Sequence, residues 1–154
     1  MDTVAPIRYI RNLGRVGHET ESRNECDSHA DTCVAGHNFV LYSHFVPQRF
    51  VEVSGFDGKR ARTKLPIASV CSVYDHPETS VRYLLVLHEA LYAKNQRHTL
   101  LNPNQLRCNG LVVHDVPVQF DPSSSHSIQA VSEPGDVRVV IPLTLSGIMS
   151  GFLI

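Results

Sequence analysis

Residues 26–32 read Cys-Asp-Ser-His-Ala-Asp-Thr, and the rest of the chain is interpreted outward from this stretch. Asp27 is followed by a small hydroxyl residue, Ser28, and two positions later by Ala30. A polar N-terminal segment precedes the stretch, and a series of short apolar runs follows it. Asp27 is therefore the first candidate for a chemically active group, at the entrance to the folded part of the chain.

Composition places the chain among ordinary globular domains. Its 154 residues suffice for one domain with a core, and its 42% hydrophobic and 19% charged residues are typical values. A net charge of −1 gives no electrostatic reason to expect direct nucleic acid binding. The apolar runs are too short for a membrane span and no signal peptide is visible, so we expect an intracellular, cytoplasmic protein with four reduced cysteines.

Short extended segments dominate the chain. Val81–Leu87 is too apolar to alternate, which indicates a strand buried on both faces, and Asp57-Gly58 is a strong hairpin signal. No repeat and no long helical pattern is present, so the sequence predicts an all-β fold. Further strands are predicted within residues 7–10, 38–53, 61–74, 98–101, 111–114 and 137–143 and from residue 147 onward.

One short helix interrupts this pattern. Asn102 is a good N-terminal cap, and Pro103 fits the first helical position. The helix is predicted to run for about seven residues and to end at Asn109-Gly110, where glycine permits a left-handed cap.

The order of these features resembles that of retroviral-type (retropepsin-like) aspartic proteases. Asp27-Ser28-x-Ala30 comes first, strands with a hairpin follow, and Leu100-Leu101-Asn102 leads into the helix. The proteases of Copia-type long-terminal-repeat retrotransposons are most similar, through residues 86–91 and then the pattern from Leu100 to Gly110. The resemblance covers residues 25–117. Residues 1–24 are interpreted as a flexible arm, and residues 118–154 as C-terminal strands that complete the barrel or the dimer interface.

The resemblance implies a closed β-barrel-like protomer that works as a symmetric homodimer on an extended peptide, its own polyprotein, with no cofactor. Each protomer would supply one Asp27, and the two carboxylates would share a proton and activate a water. Ser28 would bond across the interface, and Ala30 would leave room for the packed loop. Leu100, Leu101 and Asn102 would support this loop from beneath, and a flap within residues 54–72 would close over the peptide.

Two positions depart from the family pattern, since His29 and Asn102 each stand where glycine is usual. His29 would add a Cβ and an imidazole to a crowded loop. Three outcomes follow: an active protease with an electrostatically tuned dyad, a displaced loop, or a side chain that points away. The alternative function is a catalytically inactive protease-like module for dimerisation or peptide binding.

Two other interpretations use the same stretch. His29, Cys33 and His37 are each four positions apart, and with Asp27 or Asp31 they could form a zinc site, which would make the chain a zinc-binding domain. Cys33 with His37 could instead be a nucleophile and its base. The zinc interpretation is weakened if the segment is a loop and a strand, because this spacing converges only on a helix. No further motif supports the Cys33–His37 nucleophile.

Overall fold

A computed structural model describes residues 7–9, 22–42, 49–54, 62–131 and 138–154. Within these ranges the chain forms thirteen strands and one helix. The elements are β1 (Ile7–Tyr9), β2 (Arg23–Cys26), β3 (Val34–Ala35), β4 (Val40–Leu41), β5 (Arg49–Val53), β6 (Thr63–Asp75), β7 (Arg82–Tyr92), β8 (Thr99–Leu101), α1 (Pro103–Cys108), β9 (Val112–His114), β10 (Ser127–Val131), β11 (Arg138–Pro142), β12 (Thr144–Ser146) and β13 (Met149–Leu153).

The strands form two sheets, which confirms the predicted all-β class. The larger sheet has the order β12-β13-β2-β8-β3-β7-β6-β4, with β1 on β7 and β5 on β6. The smaller sheet has the order β11-β10-β9. The path through the larger sheet ends in two different strands, β12 and β4, so the described strands do not show the closed barrel that was expected.

Of the range 54–72 in which the flap was expected, residues 63–72 belong to β6, which pairs with β5 just before that range. The two strands pair antiparallel from Arg49 opposite Ile67 to Val53 opposite Thr63. The predicted Asp57-Gly58 turn falls between them but lies outside the described residues. β6 continues to Asp75 and pairs with β7, with a register shift between Ala68 and Val70.

Three neighbouring strands of the larger sheet determine the path of the chain after β2. β8 lies between β2, to which it is parallel, and β3, to which it is antiparallel. Because β2 and β3 flank β8, residues 27–33, here called the Asp27 loop, must pass over the end of β8 where α1 begins. The backbone N–H of Asp27 donates to the Leu101 carbonyl oxygen at 2.9 Å and so continues the β2–β8 ladder by one residue.

The helix confirms its prediction from sequence. Asn102 caps it, Pro103 is its first residue, and Gly110 follows its end with a φ of 85°. Side chains of α1 and of several strands meet in one core. Its buried members are Cys26, Cys33, Ala35, Phe39, Ala68, Val70, Tyr74, Leu85, Ala90, Leu101, Leu106, Val113, Ile128, Val139, Ile141, Leu143 and Phe152.

The C-terminal strands belong to the same structure as the segment before them. β13 pairs antiparallel with β2, with Gly151 opposite Glu25. β9 joins the β10–β11 hairpin, and the His76 Nε2 donates to the Val140 carbonyl oxygen at 2.9 Å, which links the two sheets. The expected boundary between an arm ending at residue 24 and the folded domain falls inside β2. Among the described residues, no helix has the length and apolarity needed to cross a membrane.

Candidate active site

Asp27 lies at the start of the Asp27 loop, directly after β2 ends. Its side chain is 28% exposed, so the carboxylate is held by the fold and remains accessible. The Oδ1 atom accepts a hydrogen bond from the backbone N–H of His29 at 2.9 Å. The loop therefore orients the carboxylate through its own backbone, two residues further along.

His29 supplies this N–H without crowding the loop. Its side chain is 97% exposed, and Nδ1 lies 4.0 Å from Asp27 Oδ1 and 3.5 Å from Ser28 Oγ. Among the described non-glycine residues, positive φ angles occur only at Ser80, Glu89 and His126, so the backbone at position 29 does not require glycine. The His29 side chain is therefore exposed to solvent rather than packed into the loop, and its ring lies beside the Asp27 carboxylate.

This geometry predicts different effects for two substitutions of His29. His29→Ala keeps the N–H, and we expect any cleavage rate to stay within about threefold of the wild-type value. His29→Pro removes the donor, and we expect a loss of about tenfold or more, since a hydrogen bond to a charged group contributes roughly 1.5–3 kcal/mol. Initial rates on one peptide compare the two. Equal losses in both variants would show that the imidazole, rather than the N–H, is what matters.

Asn102 joins the helix cap to the Asp27 loop. Its Oδ1 accepts the Gln105 N–H at 2.7 Å, and its Nδ2 donates to the Ala30 carbonyl oxygen. Its φ of −77° and ψ of 114° are open to any residue, so this position does not require the glycine that is usual in the family either. The amide instead gives the loop a direct bond to the start of α1.

The structure brings the predicted site residues together. Leu100 pairs with Glu25 on one side and Val34 on the other, so β8 lies directly beneath the loop. Leu101 is buried, and its carbonyl oxygen holds the Asp27 N–H. Ser28 is exposed at the top of the loop, and the side chain of Ala30 is half-buried.

Sequence reasoning missed Gln105 as part of this site. Its Oε1 accepts from the Cys33 N–H at 2.7 Å and from Thr32 Oγ1 at 2.8 Å. Its Nε2 lies 3.4 Å from the His88 carbonyl oxygen. The available signal was the spacing Asn102-x-x-Gln105, which matches a capping box and marks both side chains as local hydrogen-bonding groups.

The residues of the proposed zinc site have separate surroundings. The His37 Nδ1 donates to the Gln96 carbonyl oxygen at 3.1 Å, and its Nε2 accepts from Ser22 Oγ at 2.9 Å. Cys33 is buried and its Sγ accepts the Asn102 N–H at 3.2 Å, while His29 faces solvent. Within the described ranges, no group of three or more His, Cys, Asp or Glu side chains is placed to hold a metal ion.

Burial also works against a thiol nucleophile here. Burial raises the pKa of Cys33 above its ordinary value, and burial, with a smaller effect of the Asp115 charge, raises the pKa of Cys26 to about 12. A thiol is nucleophilic as the thiolate, which a raised pKa disfavours. Cys26 and Cys33 instead pack in the core on either side of the Asp27 loop, and all four cysteines of the chain are free.

A second polar contact that the sequence did not reveal lies close to the end of β2. One terminal nitrogen of Arg107, on α1, donates to Asp115 Oδ1 at 2.7 Å and to the Val113 carbonyl oxygen at 2.8 Å. The Ser150 Oγ donates to the Asp115 carbonyl oxygen at 2.9 Å. These bonds join three parts of the chain, namely α1, the segment after β9, and strand β13. Because β13 pairs with β2, they support the strand that directly precedes Asp27.

The site is thus one accessible carboxylate on a loop that α1, β2 and β8 hold in place. In comparisons with protein-family models, curated proteins and solved structures, nothing matched this chain.

Proposed function

We propose that the protein is an aspartic endopeptidase of the retroviral type, which cleaves extended peptide, including its own polyprotein. The observation that carries the proposal is the set of backbone hydrogen bonds that fix the position of Asp27. Its carboxylate is accessible, accepts the His29 N–H at 2.9 Å, and sits on a loop fixed at its start by the Leu101 carbonyl oxygen. Oriented carboxylates of this kind are what acid–base hydrolysis requires.

The chemistry needs two copies of the chain, because one carboxylate cannot act as base and acid in the same step. In a symmetric homodimer, an ionised Asp27 takes a proton from water while the oxygen of that water attacks the scissile carbonyl carbon. The protonated partner Asp27 gives its proton to the carbonyl oxygen. When the tetrahedral intermediate collapses, the first Asp27 gives the proton it took from water to the leaving amine as the C–N bond breaks. The partner Asp27 takes back a proton from a hydroxyl of the intermediate, so that one water is consumed and the dyad returns to its starting state.

The β5–β6 hairpin is the proposed flap. Phe50 and Val51 on β5 are 48% and 36% exposed, and exposed apolar side chains on a hairpin suit contact with a peptide. An extended peptide would add its backbone to such strands by hydrogen bonding, and its side chains would set the preference for a cleavage site.

The departures from the family pattern are compatible with activity in this proposal. The N–H at position 29 is retained, and the amide at position 102 bonds to the loop. The alternative, an inactive module that dimerises or binds peptide, shares the same fold and differs only in the absence of cleavage.

The test is cleavage of a diverse peptide mixture from about pH 3.5 to about pH 7.5, beside sedimentation of the same protein. We expect an acidic optimum, because one proton must stay on the dyad, and cleavage only where dimer is present. Cleavage that rises steadily above neutral pH, or full activity in a purely monomeric sample, would overturn the proposal. A dimer without cleavage would favour the inactive module.

A further inference from the structure

The first turn of α1 departs from the usual way in which a helix satisfies its own N–H groups. In a capping box, the residue at the third helical position turns back to the N–H of the cap residue. Asn102 does its half, since its Oδ1 accepts the Gln105 N–H at 2.7 Å. The side chain of Gln105 does not return to the Asn102 N–H, which donates to the Cys33 Sγ instead.

The Gln105 side chain is directed to the Asp27 loop instead. The Oε1 atom accepts two bonds there, from the Cys33 N–H at 2.7 Å and from Thr32 Oγ1 at 2.8 Å. Cys33 is 1% exposed, so its N–H has no access to water if this acceptor is removed. The Gln105 amide could have completed the cap of its own helix. It instead accepts hydrogen bonds from the Cys33 N–H and the Thr32 hydroxyl, where the loop ends.

We propose that Gln105 is a positioning residue for Asp27, an inference that rests on the proposed aspartic protease function. The loop is held at its start by the Leu101 carbonyl oxygen, in its middle by Asn102 Nδ2 on Ala30, and at its end by Gln105 Oε1. Cys33 is also bound through its carbonyl oxygen, which accepts the Leu91 N–H at 2.9 Å, and through its Sγ. Without Gln105 Oε1, the Cys33 N–H and the Thr32 hydroxyl lose their shared acceptor, so residues 27–32 can shift relative to β8. In the proposed dimer, the two Asp27 carboxylates must lie within hydrogen-bonding distance of each other. A shift of the loop in both protomers therefore changes their separation by the sum of the two shifts.

Gln105 also connects the loop to β7. Its Nε2 lies 3.4 Å from the His88 carbonyl oxygen, next to Glu89, whose φ of 55° marks an irregular position in that strand. The Thr32 hydroxyl, bonded to Oε1, lies 3.5 Å from the Glu89 carbonyl oxygen. Glutamine supplies an acceptor for the two short bonds and a donor for the longer contact, whereas leucine supplies neither.

The decisive comparison is Gln105→Leu against Gln105→Glu, with Asn104→Ala as control. A carboxylate keeps the two accepted bonds and loses only the long Nε2 contact, whereas leucine loses all three. Asn104 is exposed in the same helical turn, and its side chain accepts a hydrogen bond from Arg107 at 2.9 Å. We expect Gln105→Leu to lower kcat by about 10²-fold with KM within about threefold, and Gln105→Glu to recover most of kcat. The control should match wild type.

Amide hydrogen exchange over residues 27–34 provides a readout that does not depend on activity. We expect faster exchange in Gln105→Leu and near wild-type exchange in Gln105→Glu and Asn104→Ala. Unchanged exchange in Gln105→Leu, or equal kcat in the two Gln105 variants, would overturn the inference. If Gln105→Leu does not fold, the test uses Gln105→Glu and Asn104→Ala. Slower cleavage by Gln105→Glu, with no faster exchange in its Asp27 loop, would then overturn the inference. Absence of cleavage by wild type would instead defeat the proposed function, and exchange would still decide whether Gln105 holds the loop.

Discussion

Asp27→Asn is expected to abolish peptide cleavage, with a loss on the order of 10³-fold or more in kcat. The amide cannot take a proton from water or share one with a facing carboxylate, so both halves of the proposed acid–base chemistry fail. The fold should survive, because the side-chain oxygen of asparagine can still accept the His29 N–H. We also expect the variant to remain a dimer. Cleavage rates, circular dichroism and sedimentation of the purified variant measure the loss of activity, the fold and the dimer, respectively.

Asp31→Asn is the matched comparison for this loss. Asp31 is exposed on the same loop, four positions after Asp27, so the variant removes an identical charge from the same region. We expect cleavage to stay within about fivefold of wild type, because an exposed carboxylate away from the dyad takes no part in proton transfer. A large loss in Asp31→Asn with normal cleavage by Asp27→Asn would move the site to Asp31.

A mixing experiment with the same variant separates a shared dyad from a site within one chain. If each active site needs two Asp27 residues, a large excess of Asp27→Asn that exchanges subunits with wild type should convert active dimers into inactive mixed dimers. The specific activity of the wild-type chains should then fall with added variant. Constant activity after subunit exchange would show that one chain suffices and would contradict the dimeric mechanism.

Local features of the sequence predicted local features of the structure well. Asn102, Pro103 and Gly110 carry cap chemistry that depends only on neighbouring residues, and α1 begins and ends where they indicate. The alternation along β6, where Ala68, Val70, Ser72 and Tyr74 are buried, follows from the two-residue period of a strand. In the β2–β8 ladder, Leu100 lies opposite Glu25 and Leu101 lies opposite Cys26, and their support of the Asp27 loop stays a prediction.

Contacts between residues distant in sequence could not be predicted in this way. The pairing of β13 with β2 joins residues more than a hundred positions apart, and no local pattern specifies that partner. The same holds for Gln105, because a capping box predicts a side chain turned toward its own helix, whereas the loop above α1 supplies two other donors. The exposure of His29 likewise depends on the path of the loop over β8.

Gly151→Ala should be strongly destabilising, because the pairing of β13 with β2 leaves no room for a side chain there. A Cβ at position 151 would overlap the backbone carbonyl oxygen of Asn24 in β2, which cannot rotate away. We expect a loss of roughly 3 kcal/mol in the free energy of unfolding and a Tm lower by about 10 °C. Thermal and denaturant unfolding measure both quantities.

The control for this substitution lies in the same hairpin. Gly147 has a φ of 63° and nothing within 4 Å of a Cβ placed there, so asparagine, which tolerates this conformation, should cost less than about 1 kcal/mol in Gly147→Asn. A neutral Gly151→Ala beside a neutral Gly147→Asn would mean that β13 does not pair with β2 in this register. Because β2 ends at Cys26 and Asp27 follows directly, a destabilised Gly151→Ala would also show that the C-terminal strand supports the strand that carries the carboxylate.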